Sequence, residues 1–224
     1  MIFWQQFRTA FLAATFVGLV LILSKSIYDP TIGKPTNYNF PALVPLAGWQ
    51  SQADNTATTR SVEDNQLFSK NKYYRYTQGK NYQLNVNMHY VVGTSGNSQL
   101  FIKNYTSIPV DTSQLDLVTR YQHKKGFYQL FTYQNQAHLI SCINPQGEST
   151  VTSEQFFHNR NLYDLQFKNI LRWLAAQSDL RDRRCLWSHL SVPLNRVSTR
   201  DAYHQLETSW LALSQWWSPR FPPL

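Results

Sequence analysis

The chain has 224 residues, with 21 Lys+Arg against 13 Asp+Glu and a formal net charge of +8. That length predicts one folded domain with a small appendage, and 13 Phe, 13 Tyr and 7 Trp exclude global disorder, because such residues supply the apolar area that offsets chain entropy. Two cysteines exclude a disulfide-dense scaffold, an iron–sulfur protein and a Cys-rich zinc fold.

The first element is apolar. Thr9 to Ser24 carries no charge and is rich in Phe, Leu, Val and Ile. Sixteen helical residues rise about 24 Å, and Ile2, Phe3, Trp4 and Phe7 extend the run toward the roughly 30 Å of a hydrocarbon core. Arg8 can snorkel and Trp4 suits an interface. The reading is one membrane-spanning helix from about Phe3 to Leu23. No A-x-A pattern follows it, which favours a retained anchor over a cleaved signal peptide. Ala14 and Gly18 lie at the i, i+4 spacing that lets helices approach closely, and form a candidate packing face. Arg8 before the span and Lys25 and Lys34 after it leave orientation open by charge alone.

Residues 28–48 contain Pro30, Pro35, Pro41 and Pro45, which predicts an extended tether or edge-wrapping segment. Trp49 then docks on the domain that occupies 49–224. Gln50 to Val62 reads as a polar loop or short polar helix. Tyr82, Leu84, Val86, Met88 and Tyr90 alternate with polar residues, a strand pattern. With Lys72 to Thr77 upstream, across Gln78-Gly79-Lys80-Asn81, they predict a hairpin. A turn-rich loop follows at Gly93 to Asn97. Phe127 to Tyr133 and Ala137 to Ile143 predict a second hairpin, and Arg184 to Val192 a further strand ended by Pro193.

Two helices interrupt the β pattern. Thr152 and Gln155 form a capping box ahead of a helix running to about Gln177. A last helix starts near Ser198, with Tyr203, Leu206, Trp210, Leu213 and Trp217 on one stripe. The expected fold is therefore α+β: an antiparallel sheet with two main helices, after one N-terminal transmembrane helix.

Chemistry is harder to find. No nucleophile elbow, phosphate-binding glycine loop or H-E-x-x-H motif occurs, so neither an enzymatic activity nor a cofactor is expected. The histidines His89, His123, His138, His158, His189 and His204 never fall in sequential ligand pairs, and read as scattered surface or partly buried residues rather than a metal site. Lys70, Lys72, Arg75, Lys80 and Lys103, then Arg120, Lys124 and Lys125, then Arg181, Arg183 and Arg184 give a basic surface that fits anionic lipid or polysaccharide, and no nucleic-acid motif accompanies them. Cys142 and Cys185 sit inside predicted strands. The first expectation is buried free thiols, then a disulfide if the domain is outside the cytoplasm, and last a nucleophile. Tyr73, Tyr74, Tyr76 and Tyr82 are weighed as a sugar-stacking platform against alternate filling of the sheet core, which is favoured. A catalytic pair of Cys185 and His189 is disfavoured, since i, i+4 on a strand sets them about 13 Å apart.

Two stretches carry a resemblance. Ile140 to Gly147, with Ser149 to Phe156 after it, and Asp179 to Leu194 resemble the cyanobacterial exosortase-associated family, in particular the proteins associated with cyanoexosortase A. The motif residues are Cys142, Asn144, Pro145, Gly147, Asp182, Arg183, Arg184, Cys185 and Trp187, with no assigned role. The resemblance implies a non-enzymatic accessory protein of a polytopic exosortase, in cells that sort surface proteins and export polysaccharide. It also implies a single pass through the cytoplasmic membrane with the domain facing the periplasm. Membrane lipid, an exosortase and extracellular polysaccharide are the expected partners.

Overall fold

The computed structural model describes residues 2–28, 38–52, 68–79, 82–108, 115–174, 181–195 and 197–222. Two compact units are distinguishable: Asn37–Tyr163 with Arg183–Pro223, and Met1–Thr36 with Asp164–Asp182 and Leu224.

Among the described residues, the larger unit is built on a seven-stranded sheet. Its strands are β1 (Gln50–Gln52), β2 (Phe68–Gln78), β3 (Tyr82–Val92), β4 (Val118–Gln122), β5 (Gly126–Tyr133), β6 (Gln136–Ile143) and β7 (Arg184–Pro193). The order is β1-β2-β3-β7-β6-β5-β4, and every neighbouring pair is antiparallel. The expected α+β class is thus the observed one, and both hairpins form. In the β5–β6 turn Gln134 and Asn135 both have positive φ, which matches the right-handed twist of the strands they join.

Period-two alternation divides the sheet into two faces. One carries Tyr74, Tyr76, Leu84, Val86, Met88, Tyr90, Leu130, Leu139, Leu186 and Leu190, all buried. It is covered by helix α5 (Thr199–Trp217), which buries Ala202, Leu206, Trp210, Leu213 and Trp217. Each large side chain among these contributes about 1.5–3 kcal/mol on leaving water. Ser198 caps this helix, accepting from the Asp201 amide at 3.1 Å and donating to its carboxylate at 2.7 Å.

The proline-bearing stretch from Tyr38 to Trp49 straps the same face. Val44 and Leu46 enter the core, with Tyr38, Phe40 and Trp49 packed against it. Tyr74 and Tyr76 donate to the carbonyls of Pro41 and Val44 at 2.9 and 2.8 Å, fastening the strap. The remainder of the predicted tether, 29–37, lies outside the described residues.

The second face is covered at one end by α2 (Ser98–Tyr105) and α3 (Ser153–Asp164), through Phe101, Ile102 and Phe156. The expected capping box opens α3: the Gln155 amide donates to Thr152 Oγ1 at 3.2 Å and the Thr152 amide to Gln155 Oε1 at 3.3 Å.

Several expectations need correction. The helix predicted from the capping box onward is broken at Leu165–Gln166, and α4 (Phe167–Leu174) begins anew as the Asn169 and Ile170 amides turn to the Gln166 carbonyl. The Asp164 carboxylate is drawn to the Asp182 amide at 2.7 Å instead of lying along a continuing helix. The part of that prediction beyond Leu174 falls outside the described residues. Gln50–Gln52 is an edge strand, not loop or helix. Helix α2 and strand β4 had no counterpart in the sequence reading.

In the smaller unit, helix α1 (Ile2–Tyr28) is the one described helix long and apolar enough to cross a membrane, over Phe7–Ser24. Phe11, Phe16, Leu19, Leu21 and Leu23 are all exposed along it. By length and composition it fits a membrane span or a signal sequence.

Candidate functional site

The two distinctive stretches meet at the start of β7. Cys142 faces Trp187 across the β6–β7 ladder, which places Cys185 on the same sheet face one pleat along. The two cysteines form a disulfide across a Cα–Cα distance of 5.7 Å, inside the span such bonds require. The expectation of free thiols is therefore corrected. Sequence spacing concealed that strands β6 and β7, 43 residues apart at these positions, lie side by side. Both cysteines are fully buried.

The loop after Cys142 is tied to this staple. Asn144 Nδ2 donates to the Glu148 carbonyl at 2.6 Å and to Thr150 Oγ1 at 3.3 Å, while the Cys142 and Thr150 amides exchange bonds at 2.9 Å. Pro145 is partly buried and leads into the turn. Gly147 has φ +74°, and a Cβ there would stand 2.3 Å from both Asn159 Oδ1 and the Tyr163 ring, so only glycine fits. Asn159 closes the turn, donating to the Gln146 carbonyl at 2.8 Å and accepting from the Glu148 amide at 3.1 Å.

The second stretch divides by face. Arg183 accepts from the Thr94 amide through its carbonyl at 2.9 Å. Arg184, expected on a basic surface, is buried on the face opposite the disulfide. It donates to the Pro222 carbonyl at 2.7 Å and stands 5.3 Å from the centre of the Phe221 ring. Its charge locks the C-terminal tail and is not presented to a ligand. Trp187 and Cys185 share the disulfide face.

On that same face the structure assembles a group the sequence did not reveal. His89 of β3, His189 of β7 and His138 of β6 stand on three adjacent strands, with Asn87 beside His189 across the ladder. His138 Nδ1 and His189 Nε2 are 3.0 Å apart, so one ring donates to the other. His189 stacks on Trp187, His138 on Phe131, and His89 on Tyr105 at 4.4 Å. His89 and His138 are each only 5% exposed, and the gathering of three histidines on adjacent strands corrects the expected scatter. Neither ring nitrogen of His89 has a hydrogen-bond partner among the described residues. Alternation within β3 sets His89 on the face opposite Met88 and Tyr90; what one strand cannot show is that this face is also buried and that neighbouring strands place histidines beside it.

Burial disfavours the charged imidazolium at all three positions. The pKa of His89 is pushed down to about 3 and that of His138 to about 4. His189 is pushed to about 3, by burial first and then by the like charges His138 and His89 would carry. Such weak bases suit accepting hydrogen bonds in a neutral, aromatic-walled environment more than proton abstraction at neutral pH. Among the described residues no group of three or more His, Cys, Asp or Glu side chains is arranged to hold a metal ion.

The tyrosine platform does not assemble. Tyr74 and Tyr76 fill the core, as favoured, and Tyr73 points to the other face by strand alternation. Cys185 carries no thiol for His189 to activate. Ala14 and Gly18 sit on α1, where a methyl added at Gly18 would meet nothing within 4 Å.

No protein-family model, curated protein or solved structure matches the chain.

Proposed function

We propose that this chain is a membrane-anchored, non-enzymatic accessory protein whose α+β domain works on the oxidising side of the cytoplasmic membrane, in an exosortase system that sorts surface proteins. One observation carries the reading: a domain stapled by a buried disulfide follows an apolar helix of membrane-spanning length. Disulfides persist in oxidising compartments, and an anchor of this kind leaves such a domain at the membrane surface. Oxidation of both cysteines also removes the thiolate on which a cysteine-dependent reaction would depend. The exosortase assignment itself comes from the resemblance of the stretches around Cys142 and Cys185.

The test is capture. The full chain, tagged at its C-terminus, is co-expressed in membranes with the exosortase encoded nearest to it, cross-linked and purified. The expected result is enrichment of the exosortase over an unrelated polytopic protein. Equal recovery of the two would overturn the exosortase assignment while leaving the anchored domain standing.

A further inference from the structure

Helix α4 reads Phe167-Lys168-Asn169-Ile170-Leu171-Arg172-Trp173-Leu174. At 100° per residue, Phe167, Ile170 and Leu171 fall on one side, Trp173 and Lys168 flank them at opposite edges, and Arg172 lies on the other side. An amphipathic helix in a soluble domain buries its apolar side. This one does not: Phe167 is 75% exposed, Leu171 49% and Trp173 46%, and Leu165 just before it is 46% exposed. The helix carries two cations and no acidic residue. It belongs to the same compact unit as the apolar helix α1.

We propose that α4 is an in-plane membrane helix, seated with Phe167, Leu171 and Trp173 at the headgroup–acyl boundary of an anionic phospholipid surface. Three features of the chain select lipid as the occupant. The exposed apolar side carries a Phe and is edged by an exposed Trp, both of which favour the interfacial zone. Lys168 at one edge and Arg172 beyond it, four residues apart, can reach headgroup phosphates while their stems cover apolar surface. The chain carries its own membrane-spanning candidate, so a bilayer is at hand without any further partner; to that extent the inference rests on the anchored reading.

The experiment uses the full chain in vesicles of phosphatidylcholine with one third phosphatidylglycerol. Because Cys142 and Cys185 are joined, a single introduced cysteine can be labelled without reductant. An environment-sensitive fluorophore is placed at Leu171→Cys on the apolar side, at Arg172→Cys on the charged side, and at Val17→Cys in α1. Quenching is read from lipids carrying a nitroxide on the acyl chain. Quenching at 171 is expected to exceed that at 172 by roughly threefold or more, with a blue-shifted emission at 171 alone. Equal, water-like signals at 171 and 172 with strong quenching at 17 would overturn the in-plane helix and leave the anchor intact. Water-like signals at all three sites would overturn both. A blue shift at 171 that grows with protein concentration in lipid-free detergent and is insensitive to nitroxide lipid would assign the face to a second copy of the chain, and would also overturn the proposal.

Discussion

Replacing both cysteines, Cys142→Ala with Cys185→Ala, lowers the stability of the domain by about 4 kcal/mol, the loop-entropy value for a bond closing a loop of this size. The bond closes 43 residues, from the second-face end of β6, through α3 and α4, to the first residues of β7. In the unfolded chain those residues gain freedom once the cross-link is gone; in the folded chain β6 and β7 stay paired through their ladder. For a chain of this length the midpoint of thermal unfolding should drop by about 8–16 °C. Measured by calorimetry, a drop of less than about 2 °C would show that the bond does not constrain the native domain. Any sorting function should survive at temperatures where the variant still accumulates, because the proposed role needs no thiol. Complete loss of function at normal abundance and folding would instead point to chemistry at sulfur.

Acidification from pH 7 to pH 5 destabilises the domain by about 2 kcal/mol for each histidine of the His89–His189–His138 row that stays neutral when folded. The sign follows from the direction of the shifts. Folded pKa values of about 3 to 4 lie below the ordinary value of 6.5, so the unfolded chain takes up protons that the folded chain refuses. Their contribution to stability is therefore complete above pH 6.5 and declines as pH falls through the window down to about 4 for His138 and about 3 for His89 and His189. Ordinary carboxylates titrate mostly below pH 5, which leaves the upper part of the window to histidine. Urea unfolding at pH 7 and pH 5 measures the difference. His89→Gln should reduce the pH dependence by about one third, whatever it does to stability at pH 7. Identical unfolding midpoints at the two pH values would mean the row is already hydrated or charged in the folded state.

Much of the sheet was legible because its signals are local. Tyr82 to Tyr90 alternates without interruption, and Leu84, Val86, Met88 and Tyr90 all enter the core, with Tyr82 partly buried at the strand's start. Helix α5 announced itself through Ser198, Asp201 and a stripe of large apolar residues, each of which the fold uses. The missed elements lack such signals. All five residues of β4 are exposed, so no burial alternation marks it. Helix α2 spans only two turns, with an Asn97 cap and no acidic first turn. The break after Asp164 coincides with a bond from the Asp182 amide, a partner distant in sequence.

The candidate site was the least legible part, for a physical reason. The disulfide and the histidine row are both made by cross-strand adjacency, and the order β3-β7-β6 brings together segments about 50 to 100 residues apart. Spacing rules for metal or catalytic motifs look along one element. A row of histidines taken one from each strand has no period in the sequence. The motif around Gly147 was legible as a pattern but not as a purpose; the close approach of Asn159 and Tyr163 supplies the reason for the glycine.

The central claim is that an anchored domain folds where disulfides form. Intact-mass measurement of the protein extracted from its own membranes, alkylated without reductant, tests it most directly. The expected mass includes residues 1–24 and carries no alkyl group at Cys142 or Cys185. A mass lacking the apolar helix, or one increased by two alkyl groups, would contradict it.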